Sequence, residues 1–170
     1  MRYWLLRPLR YFYEALREST TPHGLALGAA LGMLVGLAPK DNLTAMLLAM
    51  LVLAIRNNLA AAALSALLFS WLAPVTDPLA HTVGDFLLRL RVLQPVYAFL
   101  YDLPLAPWTA LNNTVVAGSL LIGLASFYPC YRVARYLTQQ YGPALLARLE
   151  KYRLWRVLIG ADFVAGIKAP

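Results

Sequence analysis

The sequence predicts an all-α, polytopic membrane protein built from about four short apolar helices, and three observations carry that prediction. Of its 170 residues 61% are hydrophobic and 14% charged, with a mean hydropathy of +0.60, whereas a soluble domain averages about 45 to 50% apolar and about 25% charged. Apolar runs alternate with short polar breaks at Lys40, Asp41, Asn42, at Arg56, Asn57, Asn58 and at Asn112, Asn113. Finally, Gly24, Gly28, Gly32 and Gly36 recur at every fourth residue inside one apolar run. Residues four apart lie above one another on a helix, so these glycines form a ridge without side chains against which another backbone can pack closely.

The chain reads as one membrane domain over residues 1–170. Over residues 1–20, Leu5, Leu9, Phe12, Tyr13 and Leu16 repeat at three and four while Arg7, Arg10, Glu14 and Arg17 take the other face. That pattern predicts a basic interfacial helix with arginines toward headgroups and aromatics at the acyl boundary. Thr21 and Pro22 supply an N-cap and first position for the glycine helix. Three apolar helices are expected over 22–75. The glycine helix and the run Leu43 to Ile55 form a hairpin, and the third run, Leu59 to Val75, repeats small residues at Ala62, Ala66 and Ser70. The second run extends about 20 Å against about 30 Å of hydrocarbon, so the hairpin is either a pair of short full spans or a re-entrant loop.

Residues 76–110 are richer in charge and proline and predict an extracytoplasmic amphipathic segment, in which Asp77 caps a new helix with Pro78 at its first position. A last apolar helix, continuing into the cytoplasm, is expected over 112–141. Gly142 and Pro143 stop it, and a second basic surface helix follows over 143–160, where Arg148, Lys151, Arg153 and Arg156 oppose Leu145, Leu149, Tyr152 and Trp155. With both termini in the cytoplasm, twelve basic residues fall inside and only Lys40, Arg89 and Arg91 outside. This bias fixes the expected orientation, and it is the same for the re-entrant alternative.

The polar breaks are the candidate sites. Lys40, Asp41 and Asn42 form the hairpin tip: Asn42 is placed to cap the following helix and Asp41 to sit at its positive end, while the functional alternative is a polar gate or pathway. Arg56 is suited to a lipid phosphate by its bidentate geometry. Asn57, Asn58, Asn112 and Asn113 precede apolar runs whose first amides need acceptors. Asp77, His81 and Asp85 share a helical face but spread over about 12 Å, too far for one metal ion without further ligands. Asp85 and Arg89 pair instead at i, i+4. His23 falls at the membrane edge, and Cys130 is a small apolar residue near a helix end.

The stretch from Gly24 to Pro39, followed by the polar tip and by Arg56, Asn57 and Asn58, resembles the bacterial family of domain of unknown function 2062. Phe69, Ser70, Asp77, Pro78 and the cluster Asn112, Asn113, Thr114, Gly118, Ser119 resemble one branch of small proteins within it. The resemblance covers Pro22 to Arg135. It departs at the tip, where Lys40, Asp41 and Asn42 replace the small residues and glycine expected after the proline. It implies a bacterial inner-membrane protein and supplies no reaction, substrate or binding residues.

The sequence carries no GxSxG, no HExxH and no phosphate-cradling loop, and the glycines are not a dinucleotide fingerprint, because their spacing is strictly four within an apolar helix. No enzyme, cofactor or metal is expected. The net charge of +7, interleaved with Leu, Trp and Tyr, points to anionic lipid headgroups rather than nucleic acid. The leading expectation is a partner subunit or scaffold that engages another membrane protein, or itself, through its glycine face or basic helices. A small transporter or channel lined by the hairpin tip is the alternative, and an enzyme of lipid headgroups is a third reading.

Overall fold

The computed structural model describes residues 21–151, with side chains through Gly142. The basic helix expected over 1–20 lies outside the described residues, as does the chain beyond 151. The described residues form five α-helices and no strand: α1 (Pro22–Leu37), α2 (Leu43–Ala54), α3 (Leu59–Arg89), α4 (Gln94–Tyr101) and α5 (Thr114–Lys151), with 3-10 turns at Arg91–Leu93 and Ala106–Thr109.

Each of the first three helices starts where a short polar side chain can satisfy an orphan amide. The Thr21 hydroxyl accepts from the Gly24 amide at 3.1 Å, Asn42 Oδ1 from Ala45 at 2.9 Å and Asn58 Oδ1 from Ala61 at 2.8 Å. Asn113 does the same for α5, accepting from Val115 at 2.8 Å.

Two expected boundaries are corrected. No new helix begins at Asp77: α3 runs unbroken for 31 residues, with Pro74 and Pro78 inside it. That is about 46 Å. A proline removes one backbone bond and crowds the preceding turn, but neighbouring helices can hold the segment in line. Ala80 and Gly84 beyond the prolines are buried against α5, which keeps the helix straight enough to continue. Likewise Gly142 and Pro143 do not stop α5, which extends over 38 residues to Lys151. A residue before proline is driven out of the helical region partly by its own Cβ, and Gly142 has none.

The core is a three-helix arrangement in which α1 and α3 run parallel and α5 runs antiparallel to both. The pairings set this order: Gly28 lies against Asn58, Gly32 against Ala62 and Gly36 against Ala66 and Ser70, while α5 meets α1 at Gly123 with Leu34 and at Tyr131 with His23. The glycines of α1 therefore face α3. α2 follows α1 as the expected second arm but returns along the outside, away from the glycine face, and contributes chiefly Val52 to the cluster of Leu31, Leu34 and Ala62.

At Gly28 and Gly32 an added Cβ would overlap the backbone carbonyls of Asn58 and Ala62, and at Gly36 it would lie 2.6 Å from Phe69 Cβ. Two serines of α3 tie the same seam, Ser65 Oγ donating to the Ala29 carbonyl at 2.6 Å and Ser70 Oγ to that of Gly36 at 3.4 Å. A second tight crossing joins α3 and α5, where Gly84 meets Thr114 and Gly118 meets Ala80, again backbone to backbone.

Candidate functional site

Polar groups gather at the two ends of this bundle. At one end the hairpin tip is held by Lys40, whose Nζ donates to the carbonyls of Val35 at 2.7 Å, Gly36 at 2.9 Å and Ala38 at 2.5 Å. An ammonium has three protons, so all of its donors are spent closing the C-terminus of α1, where a positive charge also suits the helix dipole. Burial lowers the Lys40 pKa from its ordinary value, and the Asp77 carboxylate opposes that shift. Asn42 faces both ways, donating to the Pro39 carbonyl at 2.9 Å while capping α2. Asp41 is exposed. Thr44, buried in the first turn of α2, donates to the Thr109 carbonyl at 2.8 Å, which docks the tip on the segment leading into α5.

The face carrying Asp77, His81 and Asp85 lies at the same end. Arg89 Nε pairs with Asp85 at 2.8 Å, and His81 Nδ1 lies 2.5 Å from the Thr114 hydroxyl, linking α3 to α5 beside the Gly84 crossing. Among the described residues no group of three such side chains is placed to hold a metal. Asn112 gives its backbone amide to the Tyr101 hydroxyl at 2.6 Å. The two residues line an open groove of about 380 Å³ with Leu88, Gln94, Tyr97 and Ala98.

At the opposite end the turn Arg56 to Asn58 lies beside the start of α1. Asn58 is wholly buried, and its amide donates to the Gly24 carbonyl at 3.1 Å. Asn57 works backward rather than forward, its Nδ2 donating to the carbonyls of Val52 at 2.6 Å and Ile55 at 2.7 Å and so closing α2. Arg56 is exposed. Across the same end His23 Nδ1 meets the Tyr131 hydroxyl at 2.7 Å, and Arg135 Nη1 donates to that hydroxyl at 3.3 Å. Arg132 stands over the Tyr128 ring at 6.0 Å.

Charge is divided between the ends. Asp41, Asp77, Asp85 and Asp102, the four carboxylates of residues 21–142, all lie on the tip side with Lys40, Arg89 and Arg91, whereas Arg56, Arg132 and Arg135 lie at the other end with no carboxylate of residues 21–142 beside them. Sequence reasoning missed the His23, Tyr131 and Arg135 junction, because 108 residues separate its first two members. It also missed Gly84, although Ala80 with Gly84 and Thr114 with Gly118 are both small pairs at four-residue spacing.

The surface between the ends is apolar. Trp71 is 87% exposed, Val75 76% and Leu53 71%, and only 11% of the most apolar stretch of α3 is buried. A helix at the core of a soluble protein would show the reverse. Two helices, Leu59–Arg89 and the Thr114–Gly142 part of α5, are long and apolar enough to cross a membrane, and the two shorter apolar helices α1 and α2 accompany them.

The fold thus defines a class: among the described residues, an all-helical protein with two helices long and apolar enough to cross a membrane and with polar ends. The particular family follows from comparison, since the model of the family described as an uncharacterized protein conserved in bacteria, DUF2062, matches residues 6–143, and the chain belongs to that family. It is similar to a protein of Treponema pallidum (strain Nichols), named only as an uncharacterized protein, with 33% identity over 146 residues that cover 86% of this chain and 90% of that one. No solved structure matches.

Proposed function

We propose that the chain is a multi-pass protein of the bacterial inner membrane, with both termini in the cytoplasm, acting as a non-enzymatic scaffold or partner subunit in the handling of envelope lipid. The observation that carries this reading is the contrast between a closed interior and an apolar exterior. Backbone meets backbone between α1 and α3 at Gly28 and Gly32 and between α3 and α5 at Gly84 and Gly118, so these two seams are closed to a solute at those crossings, while Leu47, Met50, Leu53, Leu67 and Trp71 face outward. Lipid or a protein neighbour is the medium that accepts such a surface.

The glycine face is consumed inside the chain, so a partner engages the outer face of α2 and α3 or the basic segments instead. The bond from Thr44 to Thr109 supports short full spans, because it holds the tip beside the segment that starts α5. The count of Lys and Arg along the whole sequence, twelve against three, supports the orientation with the arginine end inside. The transporter alternative has weaker support, since Lys40 is wholly engaged by three carbonyls.

Extraction into native nanodiscs tests the reading. The protein is expected to emerge in an assembly heavier than its 18.8 kDa monomer, holding a second membrane protein or a second copy at fixed stoichiometry. A lone monomer with nothing copurifying would overturn it.

A further inference from the structure

We infer that the end of the bundle formed by His23, Arg56, Tyr131 and Arg135 is a binding site for the phosphate of an anionic lipid headgroup. The inference rests on the membrane-embedded reading above and names one ligand within it. Three separate segments converge there. The Arg56 turn is fastened to α1 by the Asn58 amide on the Gly24 carbonyl at 3.1 Å, and α1 is fastened to α5 by His23 on the Tyr131 hydroxyl at 2.7 Å. Arg135 approaches the same hydroxyl at 3.3 Å with one of its five N–H groups, which leaves its fork free to grip a second acceptor.

His23 and Arg135 share the Tyr131 hydroxyl, so one phenol ties α1 to the charged part of α5 at this end. Arg56 and Arg135 are exposed. All four carboxylates of residues 21–142 are at the other end, so among the described residues neither arginine has an acidic partner there to make it an ordinary solvated ion pair. α1 and α3 are parallel and both start here while α2 ends here, so one positive helix end is left in excess at this level.

A tyrosine and two arginines at the level where charge-free helix gives way to charged helix stand at the depth of headgroup phosphates. Between Asn58 and Asp77, and again between Asn113 and Arg132, no charged residue occurs, and each stretch measures about 27 Å, close to the hydrocarbon thickness. A bidentate guanidinium fits a phosphodiester better than an ammonium does. The source of the phosphate is taken to be lipid because the arginines are exposed at the edge of an apolar shell rather than enclosed in a pocket.

The test uses the full-length protein in nanodiscs of phosphatidylcholine containing a minor fraction of phosphatidylglycerol, with the annular lipid retained on extraction read by mass spectrometry. Wild type is expected to enrich phosphatidylglycerol, with Arg56→Gln lowering the enrichment about fivefold and Arg56→Gln with Arg135→Gln lowering it by the product of two such steps. Tyr131→Phe is expected to weaken it less, and Arg56→Lys to restore part of it. Because Arg56 is exposed on a turn, its substitution leaves the fold intact, which unchanged thermal unfolding would verify. Unaltered enrichment in folded Arg56→Gln and in the double variant would overturn the inference. Displacement of phosphatidylglycerol by excess inorganic phosphate alone would overturn the lipid source. Neither result depends on whether a protein partner copurifies, so a failure here is separable from a failure of the scaffold reading.

Discussion

Gly118→Ala is expected to lower the stability of the protein by about 3 kcal/mol, although alanine is the best helix former and the position lies within a helix. The physical reason is that the added methyl has nowhere to go. At Gly118 it would overlap the carbonyl of Ala80 and crowd the Gly84 amide, and at Gly84 the reciprocal methyl would overlap the carbonyl of Thr114. Both obstacles are backbone, so relief requires the two helices to move apart, which opens contacts along the whole α3 and α5 seam.

Gly142→Ala is the internal control, since its methyl would find only Thr138 Cγ2 at 3.8 Å. Restricting the unfolded chain at that glycine favours folding, while the new Cβ before Pro143 disfavours the helix there, so the net change is expected to stay within about 1 kcal/mol of zero. Gly123→Ala falls between, because the group it meets at 2.8 Å is the far end of Leu34, which can turn away. Unfolding titrations in detergent micelles measure all three. Equal effects at Gly118 and Gly142 would mean that the two helices do not touch through their backbones.

Asn58→Ala is expected to cost about 2 kcal/mol in the same assay. Its Oδ1 caps α3 at 2.8 Å, and loss of such a cap alone costs about 0.5 to 2 kcal/mol. The residue is also wholly buried, so truncation leaves a void and an amide without its acceptor where water cannot readily replace it. Asn58→Asp separates the two contributions: it keeps the cap acceptor and places a negative charge at a helix N-terminus, but buries that charge. It is expected to be destabilising near neutral pH through desolvation. A substitution that left stability unchanged would remove Asn58 from the seam between α1 and α3.

Why some of this was legible in the sequence and some was not follows from the range of the forces involved. The helical starts at Pro22, Leu43 and Leu59 were readable because Thr21, Asn42 and Asn58 act on amides only three residues away. The length of α3 was not, since Pro74, Asp77 and Pro78 form the local pattern of a fresh helix start. What overrides it is a contact with Thr114 and Gly118 of another helix. The same holds for Asn57, whose position before an apolar run suggested a forward cap, while its side chain turns back to Val52 and Ile55.

Lys40 shows the limit for the candidate site. An ionisable residue at the tip of a short apolar hairpin reads as a functional charge, and only the folded geometry reveals that three carbonyls take all of its donors. Conversely, Tyr131 carried no mark in the sequence, yet it gathers His23 and Arg135 into one cluster.

The proposed orientation has the bundle crossing the membrane with its arginine end in the cytoplasm and its carboxylate end outside. Single cysteines placed by Arg56→Cys and Asp102→Cys, each in a Cys130→Ala background, test it in spheroplasts with a membrane-impermeant maleimide. Asp102→Cys is predicted to label in intact spheroplasts and Arg56→Cys only after permeabilisation. Labelling of both positions from the same side, or of Arg56→Cys alone from outside, would contradict that orientation.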